Sequence, residues 1–209
     1  MAPLKVTIVG GGLGGSLLAN GLLNNGIDTT LYERDEADSK REGYQIRLGD
    51  SALVGLKACL KESHLQGVLD KLGRSTEGGS TAPVVYDSQF RPLLDLSTLP
   101  AYSKTSAINR VVLRDMLIRP VRDAGCVQFR KGFESFEIVR EKAGQETVLV
   151  TCTDGSTETC DILIGADGSG SKVESGQIFC LNTALIWRTR SINSWVLAIL
   201  CRLIHIGAS

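Results

Sequence analysis

The stretch KVTIVGGGLGG, Lys5 to Gly15, decides how this chain is read. Val6, Ile8 and Val9 form a short β-branched run that suits a strand buried on both faces of a parallel sheet. The run stops at Gly10. Gly10, Gly12 and Gly15 then have the G-x-G-x-x-G spacing. The first glycine permits a tight turn, the second lets a pyrophosphate approach the backbone, and the third lets the next helix pack closely on the strand. Leu13, Leu17, Leu18 and Leu22 predict that helix, closed by Asn25 and Gly26, with its amide-rich N-terminus turned toward the phosphates.

Three glycines at a turn also occur where only close packing is required, so the continuation matters. Ile27 to Tyr32 reads as a second strand, and Glu33 stands at its end. That is close to the ~20-residue remove at which a carboxylate hydrogen-bonds an adenosine ribose. Strand, turn, helix, strand and terminal acid come in the order of a dinucleotide-binding βαβ unit; otherwise Glu33 is a solvated strand-end residue.

The whole chain is consistent with such a unit. Its 209 residues allow one domain or two small ones and bury roughly 70% of the unfolded surface. Lys plus Arg equals Asp plus Glu at 23 each, so no net field draws nucleic acid or an anionic membrane, and any ligand is held locally. The chain enters its first strand without a basic segment and apolar leader, which places the protein in the cytoplasm. Six cysteines, none in a C-x-x-C pair, resemble neither a zinc site nor a secreted disulfide framework. Cys152 and Cys160 flank an Asp154-Gly155 turn, but a two-residue turn sets Cys152 opposite Thr157, which argues against a bridge. Two histidines, His64 and His205, supply neither a metal cluster nor a Ser-His-Asp triad.

Beyond Glu33 a charged, solvated segment runs to Glu42, followed by Gly43 to Gly49. There Tyr44, Ile46 and Leu48 alternate with Gln45 and Arg47, the pattern of a short strand with one polar face. Arg47 is a candidate for a phosphate or a substrate carboxylate, or else a solvated strand arginine. Asp50 or Ser51 is expected to cap a helix with Leu53, Leu56 and Leu60 as its apolar stripe. Gly73 to Ser80 reads as a loop or boundary, and Val84–Tyr86 with Pro92–Leu96 as a hairpin opening a second, sheet-containing lobe. Ser106 to Arg110 leads into a helix with Leu113, Leu117 and Val121, closed by Gly125, which Pro120 should kink or break. Arg110 is either a phosphate ligand or a surface arginine. Val148, Val150 and Cys152 alternate up to the Asp-Gly turn. Ile162, Leu163 and Ile164 then form a second buried strand ending in Gly165-Ala166-Asp167-Gly168, and ligands of open parallel sheets bind at such strand ends.

IVGGGLGG with LYERD, INR ahead of a helix, and DILIGADGSGSKV together resemble the flavin-dependent aromatic hydroxylases, the FAD-dependent monooxygenases of the para-hydroxybenzoate hydroxylase type. The resemblance covers Leu4 to Val173. It implies an α/β fold, a doubly wound, Rossmann-like FAD-binding domain, incomplete here, with an inserted β-rich substrate lobe. The implied division is 1–72 and 106–173 for the FAD-binding domain, 73–105 for part of the lobe, and 174–209 for a tail without family likeness. It further implies that Gly10, Gly12 and Gly15 meet the pyrophosphate and that Glu33, with Arg34 beside it, meets the ribose. Arg110 matches the family's FAD-contacting arginine, and Asp167-Gly168 its Asp-Gly motif, linked to FAD and NAD(P)H. Arg47 lies in the flavin-proximal loop, where Tyr44-Gln45 replaces the family's usual small residues. The implied chemistry has NAD(P)H reduce FAD and one atom of O2 enter a small organic substrate; no catalytic acid or base is identified.

The sequence departs from the family after Val173. Both tryptophans fall in the tail, and Trp195 to Ile206 is apolar but interrupted by Arg202 and His205, shorter than the ~20 residues of a spanning helix. The expectation is a truncated or misassembled reading frame rather than a membrane anchor, and hence a chain that does not hydroxylate substrate. Two alternatives stand beside the monooxygenase: a nicotinamide-dependent dehydrogenase on the same βαβ unit, and a non-catalytic FAD-binding fragment.

Overall fold

The computed structural model describes residues 4–37, 39, 43–73, 84–96, 106–140, 146–168 and 170–173, with the backbone of 174–175 and 187–188. The elements begin β1 (Lys5–Val9), α1 (Leu13–Asn24), β2 (Asp28–Glu33), β3 (Gln45–Leu48), α2 (Asp50–Cys59) and α3 (Glu62–Lys71). Next come β4 (Val84–Tyr86), β5 (Pro92–Asp95), β6 (Ser106–Asn109), α4 (Arg110–Asp123), β7 (Val127–Phe129) and β8 (Phe133–Arg140). The chain continues through β9 (Glu146–Cys152), β10 (Thr157–Cys160), β11 (Ile162–Gly165), α5 (Lys172–Ser175) and β12 (Trp187–Arg188). The predicted loop at 74–80 and the apolar stretch 195–206 lie outside the described residues.

A parallel sheet in the order β12-β11-β1-β2-β7 organises the molecule. The pleat sends alternate residues of β1 to opposite faces. Val6 and Ile8 join Leu31, Ile162 and Ile164 on one face, under Leu17, Leu18 and Leu22 of α1 and Leu117 and Val121 of α4. Val9, Tyr32 and Leu163 point the other way, against Phe133, Val148, Val150 and Cys152. Those last four belong to an antiparallel sheet ordered β10-β9-β8. Both faces of the parallel sheet are therefore covered, one by helices and one by a second sheet, which explains why its strands read as continuous apolar runs. Burying each of these large side chains stabilises the fold by roughly 1.5–3 kcal/mol.

Several local expectations are corrected. The α2 cap is Gly49, in extended conformation and with no side-chain bond, and Asp50 is the first helical residue. Pro120 does not divide its helix: α4 runs unbroken from Arg110 to Asp123, with proline in the last turn, where it removes one backbone bond. The approach to α4 is a strand, β6, paired antiparallel with β3. The turn between β9 and β10 has three residues, 153–155, inside the Cys152–Ser156 pair that closes it, not two. Gly155 at φ +78° takes the left-handed position and Cys152 bonds Ser156, which shifts the register by one. Cys152 and Cys160 are free thiols. The β4–β5 hairpin forms as expected, with Tyr86, Phe90, Leu93 and Leu94 exposed.

Candidate functional site

The register of the parallel sheet assembles the site. Val9 lies beside Gly165 and Tyr32, so β1, β2 and β11 end level with one another. β2 and β11 lie on opposite sides of β1, which makes this edge a topological switch point. Gly10, Glu33 and Ala166-Asp167 emerge there together.

The three motif glycines have different reasons to be glycine. Gly10 has φ +108°, and a Cβ would drive into the Ala166 carbonyl and lie 2.8 Å from Asp167 Cα. Gly15, in the first turn of α1, would meet the Gly10 carbonyl and, at 3.2 Å, Ala166 Cβ. Both positions are demanded by packing inside the chain. Gly12 is different. Its backbone is ordinary (φ −73°, ψ −170°) and a Cβ there meets nothing within 4 Å. Gly12 is also the N-cap of α1, with no side-chain cap and no acid in the first turn. The helix thus presents unbonded amides to an open space, an arrangement that favours an anion.

Beside the turn lies Glu33, 6% exposed at the end of β2. A Cβ on Gly11 would come within 2.8 Å of its Oε2, so the acid and the turn are in contact. Oε1 accepts from the Asp35 amide at 3.0 Å, and Oε2 from Arg114 Nη2 at 3.4 Å. A carboxylate has about four acceptor sites. The remainder can take hydroxyl donors such as those of a ribose.

Arg114 is the site residue that sequence reasoning missed. It is 6% exposed, and its Nε donates to the Gly11 carbonyl at 3.1 Å. One guanidinium therefore joins the glycine turn, the Glu33 carboxylate and α4. The signal was present: residue 114 sits between Leu113 and Leu117 on the buried stripe of the helix, where an arginine requires a partner.

The other predicted residues occupy distinct places. Arg34 is exposed, its Nε 3.8 Å from Asp35 Oδ1. Arg110 opens α4, one turn before Arg114 and on the same helical face, with its guanidinium 5.9 Å from the Tyr44 ring centroid. Asn109 caps that helix, its Oδ1 accepting from Val111 and Val112 amides at 2.9 and 3.3 Å. Arg47 is exposed on β3. Asp167 lies against Gly10, but both its oxygens are engaged: Oδ1 accepts from Ser171 Oγ at 2.6 Å and Oδ2 from the Lys172 amide at 2.8 Å. Gly168 follows at φ +90° with open space beside its Cα. The structure thus brings together Gly10, Gly12, Gly15, Glu33 and Asp167, with Arg110 on the helical face that leads to them. Arg34 and Arg47 are both exposed, the first just past the end of β2 and the second on β3. Among the described residues no group of three or more His, Cys, Asp and Glu could hold a metal, and no helix is long and apolar enough to cross a membrane.

The model of the FAD binding domain family matches residues 3–178. FAD-dependent monooxygenase dbaB of Emericella nidulans is 33% identical over 175 residues, covering 81% of this chain and 41% of that protein. An FAD-dependent urate hydroxylase of Mycolicibacterium vanbaalenii is 32% identical, covering 80% of this chain and 40% of that protein. The crystal structure of FqzB superposes with a TM-score of 0.65 at 22% identity, over 82% of this chain and 38% of that one, a likeness of fold. The chain spans about two fifths of the length of these curated relatives.

Proposed function

This chain belongs to the FAD binding domain family, and on that premise we propose that it forms the dinucleotide-holding part of an NAD(P)H-dependent flavin monooxygenase. Such an enzyme inserts one oxygen atom of O2 into a small organic substrate; aromatic compounds are the class that the sequence resemblance points to. The observation that carries the reading is the open space beside Gly12. It lies at the uncapped start of α1, next to Gly11, against which the buried Glu33 carboxylate sits.

In this reading the first amides of α1 hold the pyrophosphate and Glu33 accepts from the ribose hydroxyls, with Arg34 at the rim. Arg110, Arg47 and the Asp167-Gly168 turn serve the rest of the cofactor. Bound FAD supplies the redox chemistry, with NAD(P)H as electron donor and O2 as oxidant. The share of these residues is to bind and orient the ADP half and to exclude water from the turn. No described side chain is assigned as a catalytic acid or base.

The test is a titration of the chain with FAD, NAD+ and NADP+, followed by NAD(P)H oxidation in air with a panel of phenolic substrates. FAD binding that nicotinamide nucleotides do not displace, with turnover of NAD(P)H, supports the proposal. Binding of NAD(P)+ in preference to flavin selects the dehydrogenase. FAD binding without any NAD(P)H oxidation selects the non-catalytic fragment.

A further inference from the structure

We propose that Arg114 is a positioning residue through which this site selects an intact adenosine ribose. The inference rests on the assignment of the glycine turn and Glu33 to the ADP half of FAD. Its basis is the geometry of one buried guanidinium. Nε donates to the Gly11 carbonyl at 3.1 Å and Nη2 to Glu33 Oε2 at 3.4 Å. The side chains of Arg114 and Glu33 are 7% and 8% exposed, so neither charge is compensated by bulk water. Gly11 and Glu33 belong to different segments of the βαβ unit, and Arg114 bonds to both from α4, 81 residues beyond Glu33.

Two consequences follow from that bridge. First, the acid is held in place before ligand arrives. Oε1 is tied by the Asp35 amide and Oε2 by Arg114, so the carboxylate cannot turn away from the turn toward solvent, and its remaining acceptor sites keep a fixed direction. Second, the pyrophosphate and ribose subsites are held in register, because the same planar group grips a backbone atom of one and the side chain of the other. A lysine cannot do this. Its ammonium is a point donor on a flexible stem, whereas the arginine fork reaches two acceptors in fixed geometry. Arg114 need not touch the cofactor; it acts through Glu33. The described helix α4 thereby becomes part of the nucleotide site, although its only motif residue by sequence is Arg110.

The test compares ADP with 2′-deoxy-ADP as competitors for FAD on the full chain, in the parent and in Arg114→Lys, Arg114→Met and Glu33→Gln. A hydrogen bond to a charged group is worth about 1.5–3 kcal/mol, so the parent is expected to prefer ADP by roughly 10- to 150-fold. Arg114→Lys should lower that preference to within about 3-fold, on the order of what a loosely held acceptor retains. Glu33→Gln should lower it similarly, and the double variant Glu33→Gln/Arg114→Lys no further, because the two residues act as one unit. Arg114→Met leaves the Glu33 charge buried alone and is expected to melt early; Arg114→Lys, which keeps the charge, is therefore the variant on which the preference is read. Equal weakening of both nucleotides by Arg114→Lys, with the parent's preference intact, would overturn the proposal and leave Arg114 a packing residue. A parent that binds ADP and 2′-deoxy-ADP alike refutes the ribose assignment of Glu33 and the role of Arg114 with it. A parent that binds neither nucleotide nor FAD refutes the dinucleotide reading itself.

Discussion

Gly12→Val separates what the glycine turn does for the fold from what it does for the ligand. At Gly12 the backbone is in a region open to any residue, and an added Cβ meets nothing within 4 Å. The folding cost reduces to replacing an N-cap glycine by a β-branched residue, about 1 kcal/mol. In a chain of this size that lowers the melting temperature by about 2–4 °C. The cost to binding is larger, since the isopropyl group fills the space into which the first amides of α1 point. Loss of one charge-assisted bond of about 1.5–3 kcal/mol weakens FAD roughly 10- to 150-fold, and loss of two weakens it beyond detection. The control is Gly10→Ala. There φ is +108° and the methyl collides with the Ala166 carbonyl, so the left-handed cost of roughly 1–2 kcal/mol is joined by displacement of the β11 end. Gly10→Ala is expected to lose folded structure before it loses ligand. Thermal unfolding by circular dichroism and FAD titration by fluorescence read the two effects separately. A Gly12→Val chain that titrates FAD like its parent refutes the pyrophosphate assignment, and a Gly10→Ala chain that melts like its parent refutes the packing argument.

Three further outcomes are expected. Glu33→Ala should lower thermal stability even without FAD, because it strands the Arg114 guanidinium in the interior, a loss of about 3–5 kcal/mol for a broken buried pair; a melting temperature equal to the parent's would show that the pair is immaterial to folding. Asn109→Ala removes the acceptor for the Val111 and Val112 amides and should cost about 1 kcal/mol, measured as a lower urea midpoint at unchanged slope; an unchanged midpoint contradicts the cap. Side-chain and backbone bonds from Ser156, with Lys131 next, hold the Asp154 carboxyl down at about 2. A depressed folded-state value means that its contribution is full above the ordinary carboxylate value of about 3.9 and is lost as the pH falls toward 2. The urea midpoint of the parent should therefore fall more steeply than that of Asp154→Asn between pH 4 and about 2; parallel curves would refute the assignment.

Much of the site was legible because its signals are local. The apolar run of β1, the spacing of Gly10, Gly12 and Gly15, the leucine period of α1 and Glu33 at the end of β2 all sit within one short βαβ unit, where neighbours in sequence are neighbours in space. The buried strand Ile162–Gly165 was readable for the same reason that β1 was: a strand covered on both faces has no polar side. What failed were features whose outcome depends on a single residue of register. Gly49 caps α2 although Asp50 and Ser51 have the better cap chemistry, and the β9–β10 turn takes three residues because Gly155 accepts the left-handed position.

The sequence by itself determined the βαβ unit and the family to which the chain belongs, since both are written in spacing and residue type along short local segments. Only the tertiary structure decided how the motif glycines divide their work, for a Cβ at Gly10 or Gly15 meets atoms of the chain and one at Gly12 meets none. It alone decided that Asp167 has both oxygens engaged by Ser171 and Lys172. It also decided that Glu33 is paired, because Arg114 reaches it from 81 residues away and no periodicity along the chain encodes a contact at that distance. Long-range pairing depends on how α4 packs over the sheet, and that packing is set by burial of apolar area, which is blind to which polar groups it brings together.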